Sequence, residues 1–394
     1  LPICGPYNYV PPGGDQFADG LNPDGSLANP EESWGGIQRA LTTTDFEASN
    51  IEFIQFWLMD PFNDDSPNQS GGDLYFNLGN VSEDVLNDSQ LSYENGMPSE
   101  NQDLPILTGT WGFYPDPSTF NVVNAFDNSV GNYQQQDIGL DGLNSDAEQD
   151  FFADWLADLQ AFLTPEAYSR YVNDPSADDF EYFRTPEAQA ANATILQRYK
   201  DFNGYEGNAN TASPNGYPIT ATTIPNTEDI NGDITLGTIE SYYQYKVSLR
   251  QPDLGEQNIG NNYIFDSFEQ NVNTPEGDRN VRWYQFRIPV REFQRRVGSI
   301  SDFRSIRFMR MFMKGWNEEV TLRFARLELI RGEWRQFLGS LEGAQEIEPG
   351  DPEPTTFNIN AVNIEENGNR DPIPYVTPPG IQREIDVATA NQRQ

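Results

Sequence analysis

Asp229, Asn231, Asp233, Thr235 and Glu240 stand at positions 1, 3, 5, 7 and 12 of the stretch DINGDITLGTIE. Oxygen donors at that spacing are those of an EF-hand-like calcium loop. Position 6, where such a loop turns on a glycine, is Ile234. The same residues also suit an Asx-rich turn, in which carboxylates hydrogen-bond their own backbone. Calcium held weakly by Asp229, Asn231, Asp233 and Glu240 is the expectation this spacing supports, and no other cofactor is expected.

A second acidic, glycine-bearing stretch, DIGLDGLNSD from Asp137 to Asp146, matches no calcium spacing and reads as a turn that caps a helix. Other chemistries are poorly served. Hydrolysis of a glycosidic bond needs two facing carboxylates, but with 61 acidic residues pairs occur everywhere and none stands out. The chain has no His, so Ser-His-Asp and Cys-His sites are excluded within it. Its one cysteine, Cys4, forms neither an internal disulfide nor a zinc cluster. No GxxxxGK phosphate loop is present. The chain is therefore read as non-catalytic.

A net charge of -37 repels phosphate backbones, so nucleic acid is not expected as a partner. Charge is also segregated. Residues 279–335 carry 14 basic against 6 acidic side chains, whereas Arg39 is the sole basic residue before position 170. Pairing of this Arg-rich stretch with the acidic remainder, the N-terminal half included, is the simplest use of it. The 25 Phe, 18 Tyr and 7 Trp are far more than a disordered acidic chain carries, so a core is expected. Exposed aromatics would instead suit a carbohydrate-binding β-sandwich module, the alternative function. Few Lys and no paired Cys suggest an extracytoplasmic protein. The opening LPIC, without Met or signal peptide, reads as part of a longer chain. The longest apolar run, IEFIQFWLM, is too short for a membrane helix and contains Glu52 and Gln55.

The elements that must position these residues are mainly strands. Ile51–Met59 is apolar on both sides and suits a strand buried on two faces, with Asp73–Gly79 as its partner after a Gly-Gly turn. Alternation predicts further strands at Tyr243–Leu249 and in VRWYQFRIPV, SIRFMRMFM and VTLRFARLELI, the last with a bulge near Phe324. Between Asp146 and Leu163, Phe151, Phe152, Trp155, Leu156, Leu159 and Phe162 recur at helical spacing. Helices are also expected at Pro165–Val172 and Thr185–Tyr199, where Thr-Pro supplies a cap and a first helical residue.

The organisation expected is a first β-rich part (1–136), a helical insertion (137–205), a second β-rich part completing the same sandwich (206–340), and a Pro-rich connector (341–394) with one strand at Thr355–Ile364. Residues 1–50 read as loops that pack Tyr7, Phe17 and Trp34. The fold class is mainly β: a jelly-roll-like β-sandwich with a helical insertion and long irregular loops, α+β overall.

The segment VPPGGDQFADGLNPDGSLANPEESWGGIQRALTTTDFEASNIEFIQFWLMDPF, Val10 to Phe62, resembles a signature of the SprA family, called Sov in some species. The likeness continues through GGDLYFNLGNVSEDVL, QQDIGLDGLNSD, PNTEDINGD, RWYQFRIPVREFQRRVGSISDFRSIRFMRMFMKGW, VTLRFARLELIRGEWR and NRDPIPYVTPPGIQREID. It implies a segment of the giant outer-membrane β-barrel translocon of the type IX secretion system in Bacteroidota, through which folded cargo and gliding adhesins reach the cell surface. The partners it implies are the remainder of that chain, a PorV-type barrel protein, a periplasmic plug protein and the cargo. A non-catalytic cap or insertion on the extracellular side is the resulting expectation.

Overall fold

A computed structural model describes residues 20–62, 70–92, 105–116, 132–209, 228–274 and 277–332, with single positions beside them at 97, 118, 126, 368, 369, 374 and 376. The expected connector strand at Thr355–Ile364, and Tyr7 and Phe17, lie outside the described residues. The chain divides into two units, Leu1–Arg331 and Gly332–Gln394.

Period-two alternation builds the first unit. In β6 (Ser241–Arg250), Tyr243, Tyr245, Val247 and Leu249 are buried, and the residues between them are half-buried or exposed. In β2 (Ile51–Met59), Ile54, Phe56 and Leu58 point into the core, while Phe53, Gln55 and Trp57 on the other face are half-buried.

Two open antiparallel sheets result. One has the order β1 (Trp34–Ala40), β10 (Phe308–Lys314), β3 (Gly71–Asn80), β6 and β9 (Arg295–Val297). The other runs β11 (Phe324–Arg331), β2, β8 (Gly277–Pro289) and β7 (Ile264–Thr274). A separate hairpin pairs β4 (Ile106–Thr108) with β5 (Phe113–Pro115). Neither sheet closes into a barrel among the described residues. Their inner faces share one core, in which Phe56 meets Phe76 at 5.3 Å and stacks on Phe286 at 5.0 Å between ring centroids. Burying each such ring contributes about 1.5–3 kcal/mol.

Two sequence expectations change here. β3 is not the hydrogen-bonded partner of β2; it lies in the other sheet, between β10 and β6. Both strands are heavily apolar, and apolarity alone does not distinguish a neighbour in the sheet from a neighbour across the core. Trp34 is 59% exposed and opens strand β1 rather than packing a loop. The bulge expected near Phe324 is present in β11, between Ala325 and Glu328, where Arg326 takes φ 52°.

β3 and β6 pair along their whole length, from Gly71 with Arg250 to Asn80 with Ser241. Everything from 81 to 240 is therefore inserted between two adjacent strands of one sheet. Its neck is fastened by carboxylates. Glu240 accepts from the Ser82 backbone N–H at 3.0 Å and takes a bidentate pair from Arg310 at 2.8 and 2.9 Å. The Glu83 carboxylate accepts from Ile230 N–H at 2.9 Å, and Glu228 accepts from Val85, Leu86 and Ser92 N–H at 2.8, 3.2 and 2.8 Å.

Six short helices lie among the described residues of the insertion: α1 (Tyr133–Gln136), α2 (Ser145–Phe151), α3 (Ala153–Phe162), α4 (Pro165–Asn173), α5 (Pro186–Ala190) and α6 (Ile195–Arg198). Asn144 caps α2 by accepting from Ala147 N–H at 3.0 Å, as the capping turn predicts. The expected helix 146–163 is interrupted at Phe152, whose φ is -95° and ψ 21°. The expected helix 185–199 splits in two, because Asn192 takes φ 51° and Thr194 starts a new capping box with Gln197. Phe152, Trp155, Leu156, Leu159 and Tyr171 gather with Leu21 in a second core. No described helix is long and apolar enough to cross a membrane.

Candidate metal centre

The DINGDITLGTIE stretch folds as the Asx-rich alternative. Asp229 accepts from the N–H groups of Asp233 and Ile234 at 2.8 and 3.0 Å, and Asn231 accepts from Asp233 N–H at 3.0 Å. Ile234 takes φ 61°, the left-handed turn that a calcium loop makes with glycine at this position. The ligand set, however, does not assemble. Asp233 pairs with Arg307 at 3.0 Å and accepts from Thr235 N–H, while Glu240 is held at the insertion neck by Arg310. Asp229, Asp233 and Glu240 do not meet as a set within 4.8 Å. Spacing alone could not show that arginines from the neighbouring β10 region would claim two of the four oxygen donors.

Three other carboxylates do meet. Ligand oxygens of Asp141, Glu148 and Asp178 all lie within 4.8 Å of one another, and the residues are 2%, 0% and 2% exposed. Asp141 sits in the turn before α2, where Gly142 takes φ 70° and Leu143 N–H donates to Asp141 Oδ1 at 3.0 Å. Glu148 lies on the buried side of α2. Asp178 comes from the loop after α4, where its backbone N–H donates to Asp174 Oδ1 at 3.1 Å. Ser176 from that loop ties the other two together: its N–H donates to Glu148 Oε2 at 3.1 Å and its hydroxyl to Asp141 Oδ2 at 2.8 Å.

What remains is unusual for a buried site. Glu148 Oε1 and both side-chain oxygens of Asp178 are buried without a hydrogen-bond partner among the described residues. Burial, reinforced by Asp141, pushes Glu148 up to about 9. Burial, then Asp141 and Glu148, holds Asp178 well above the usual carboxylate range. Burial likewise pushes Glu206, whose carboxylate accepts from Ser145, up to about 7.

Two of these residues fall on a pattern that the stretch Asp137–Asp146 hides unless it is read on to Glu148. Counting Asp137 as position 1 puts Asp141 at 5, Gly142 at 6 and Glu148 at 12 of a calcium loop, with α2 starting at position 9. Position 3 is Gly139, which brings no ligand. Asp178, distant in sequence, supplies the missing carboxylate, and no local pattern could have found it. Position 1 is also diverted, since Asp137 accepts from Ala209 N–H at 3.1 Å.

A protein-family profile described as "motility related/secretion protein", SprA_N, matches residues 154–394. The chain belongs to this family. No curated protein matches the sequence. SprA_N is a family of motility and secretion proteins. Within this SprA_N chain, Asp178 lies inside the matched residues, whereas Asp141 and Glu148 precede them.

Proposed function

We propose that this chain is a non-catalytic structural module, a cap or an insertion, of the outer-membrane translocon of the type IX secretion system. Membership in a motility and secretion family carries the reading. The resemblance of quoted motifs from Val10 to the C-terminal stretch supports the finer assignment to the translocon of a Bacteroidota bacterium. The two sheets facing one core are read as a jelly-roll-like sandwich interrupted by the 81–240 insertion. Its partners are then the remainder of the translocon, a PorV-type barrel protein, the periplasmic plug and the cargo, with the module on the extracellular side.

The carbohydrate-binding alternative finds less support, because Trp111, Trp155 and Trp316 are 8%, 1% and 8% exposed and serve cores rather than a platform. Removing residues 20–331 in frame from the full-length translocon tests the proposal. Loss of cargo from the cell surface and of gliding is expected. An unchanged surface proteome with unchanged gliding would contradict it.

A further inference from the structure

We infer that Asp141, Glu148 and Asp178 form a calcium site that fastens the 174–179 loop to the start of α2. Four independent features converge on this ligand.

The first is unmet hydrogen bonding. A buried carboxylate normally finds donors, yet Glu148 Oε1, Asp178 Oδ1 and Asp178 Oδ2 have none among the described residues. No ion pair to Glu148 or Asp178 occurs among the described residues. Buried acids such as Glu148 and Asp178, placed against Asp141 and short of donors among the described residues, are costly. A divalent ion removes that cost directly.

The second is size. Calcium binds oxygens at 2.3–2.6 Å, so two ligands on opposite sides of one ion stand up to roughly 5 Å apart. Oxygens gathered within 4.8 Å of one another are close enough for one ion to reach all three. Magnesium, at 2.0–2.1 Å, draws its ligands closer and demands near-octahedral geometry.

The third is the backbone. Asp141, Gly142 and Glu148 keep positions 5, 6 and 12 of a calcium loop, Gly142 has the left-handed φ of 70° that position 6 needs, and a helix begins where the loop requires it. The fourth is the substitute ligand. Asp178 Oδ2 lies 2.4 Å from where a Cβ on Gly139 would stand, so the remote carboxylate enters where a position-3 side chain would project. The strongly acidic chain adds a field that concentrates divalent cations.

The ion would link parts of the insertion that are distant in sequence, and Ser176 already bridges the same two groups. Calcium added to the full chain in metal-depleted buffer, followed by calorimetric titration and thermal melting, tests this. Single-site binding and a raised Tm are expected, since a ligand for the folded state alone stabilises it.

Glu148→Gln and Asp178→Asn should each weaken binding by about tenfold or more and remove the calcium-induced rise. In chelator, Asp178→Asn should melt no lower than the parent, because it relieves repulsion; this separates lost binding from misfolding. Asp233→Asn should leave calcium binding unchanged. No calcium-induced rise in the parent, an equal rise in Asp178→Asn, loss of binding in Asp233→Asn, or a larger effect from magnesium alone would each overturn the assignment.

Discussion

Gly139 leaves open the space that Asp178 occupies: a Cβ on Gly139 would stand 2.4 Å from Asp178 Oδ2. Gly139 also takes φ 89°, a conformation that side-chain-bearing residues rarely adopt. Gly139→Ala should therefore act twice, through about 1 kcal/mol or more of backbone strain and through displacement of Asp178. The second effect is read as a smaller calcium-induced rise in Tm than the parent shows. An unaltered rise would mean that Asp178 does not depend on the gap at Gly139.

Phe76 is fully buried against Phe56 at the contact between the two sheets. Phe76→Ala should cost about 3–5 kcal/mol, the range for large-to-small changes in a close-packed core. Trp34→Ala, on the exposed edge of β1, should cost less than about 1 kcal/mol. Chemical denaturation of both variants checks the contrast, and equal losses would place the principal core elsewhere.

Glu228 gives the insertion neck a pH dependence. Burial raises its carboxyl from 4.5 to about 7, against the opposing pull of the Ser92, Leu86 and Val85 N–H groups. Because the folded state holds this proton more tightly than the unfolded chain, its contribution to stability is greatest below about pH 4.5 and is lost as pH rises through about 7. Subtracting the Tm profile of Glu228→Gln from that of the parent should isolate a declining component across this window. Parallel profiles would contradict it.

The strands were legible because alternation is a local property. Tyr243, Tyr245, Val247 and Leu249 declare the buried face of β6 without reference to any other element. Pairing was not legible, since β3 follows β2 in sequence yet joins β6 across an insertion that runs from 81 to 240. The chemistry divides in the same way. Asp229, Asn231, Asp233 and Glu240 have the right spacing, but Arg307 and Arg310 arrive from distant sequence and engage two of them. Asp141 and Glu148 had a readable spacing once the window extended past Asp146, whereas Asp178 meets them only through tertiary folding. Charge segregation resolves similarly: Arg304 pairs with Glu47 in the N-terminal half, but Arg307, Arg310 and Arg282 pair with Asp233, Glu240 and Glu269.

Strands from both sides of the insertion are interleaved in each sheet, so neither side holds a complete core: β2 lies between β11 and β8, and β3 between β10 and β6. Expressing residues 1–136 and 206–394 separately, and following each by differential scanning calorimetry, tests this shared core most directly. Neither piece alone should show a cooperative transition, and mixing them should restore one. Two sharp transitions, one from each piece and unaffected by mixing, would contradict a single core built from both halves.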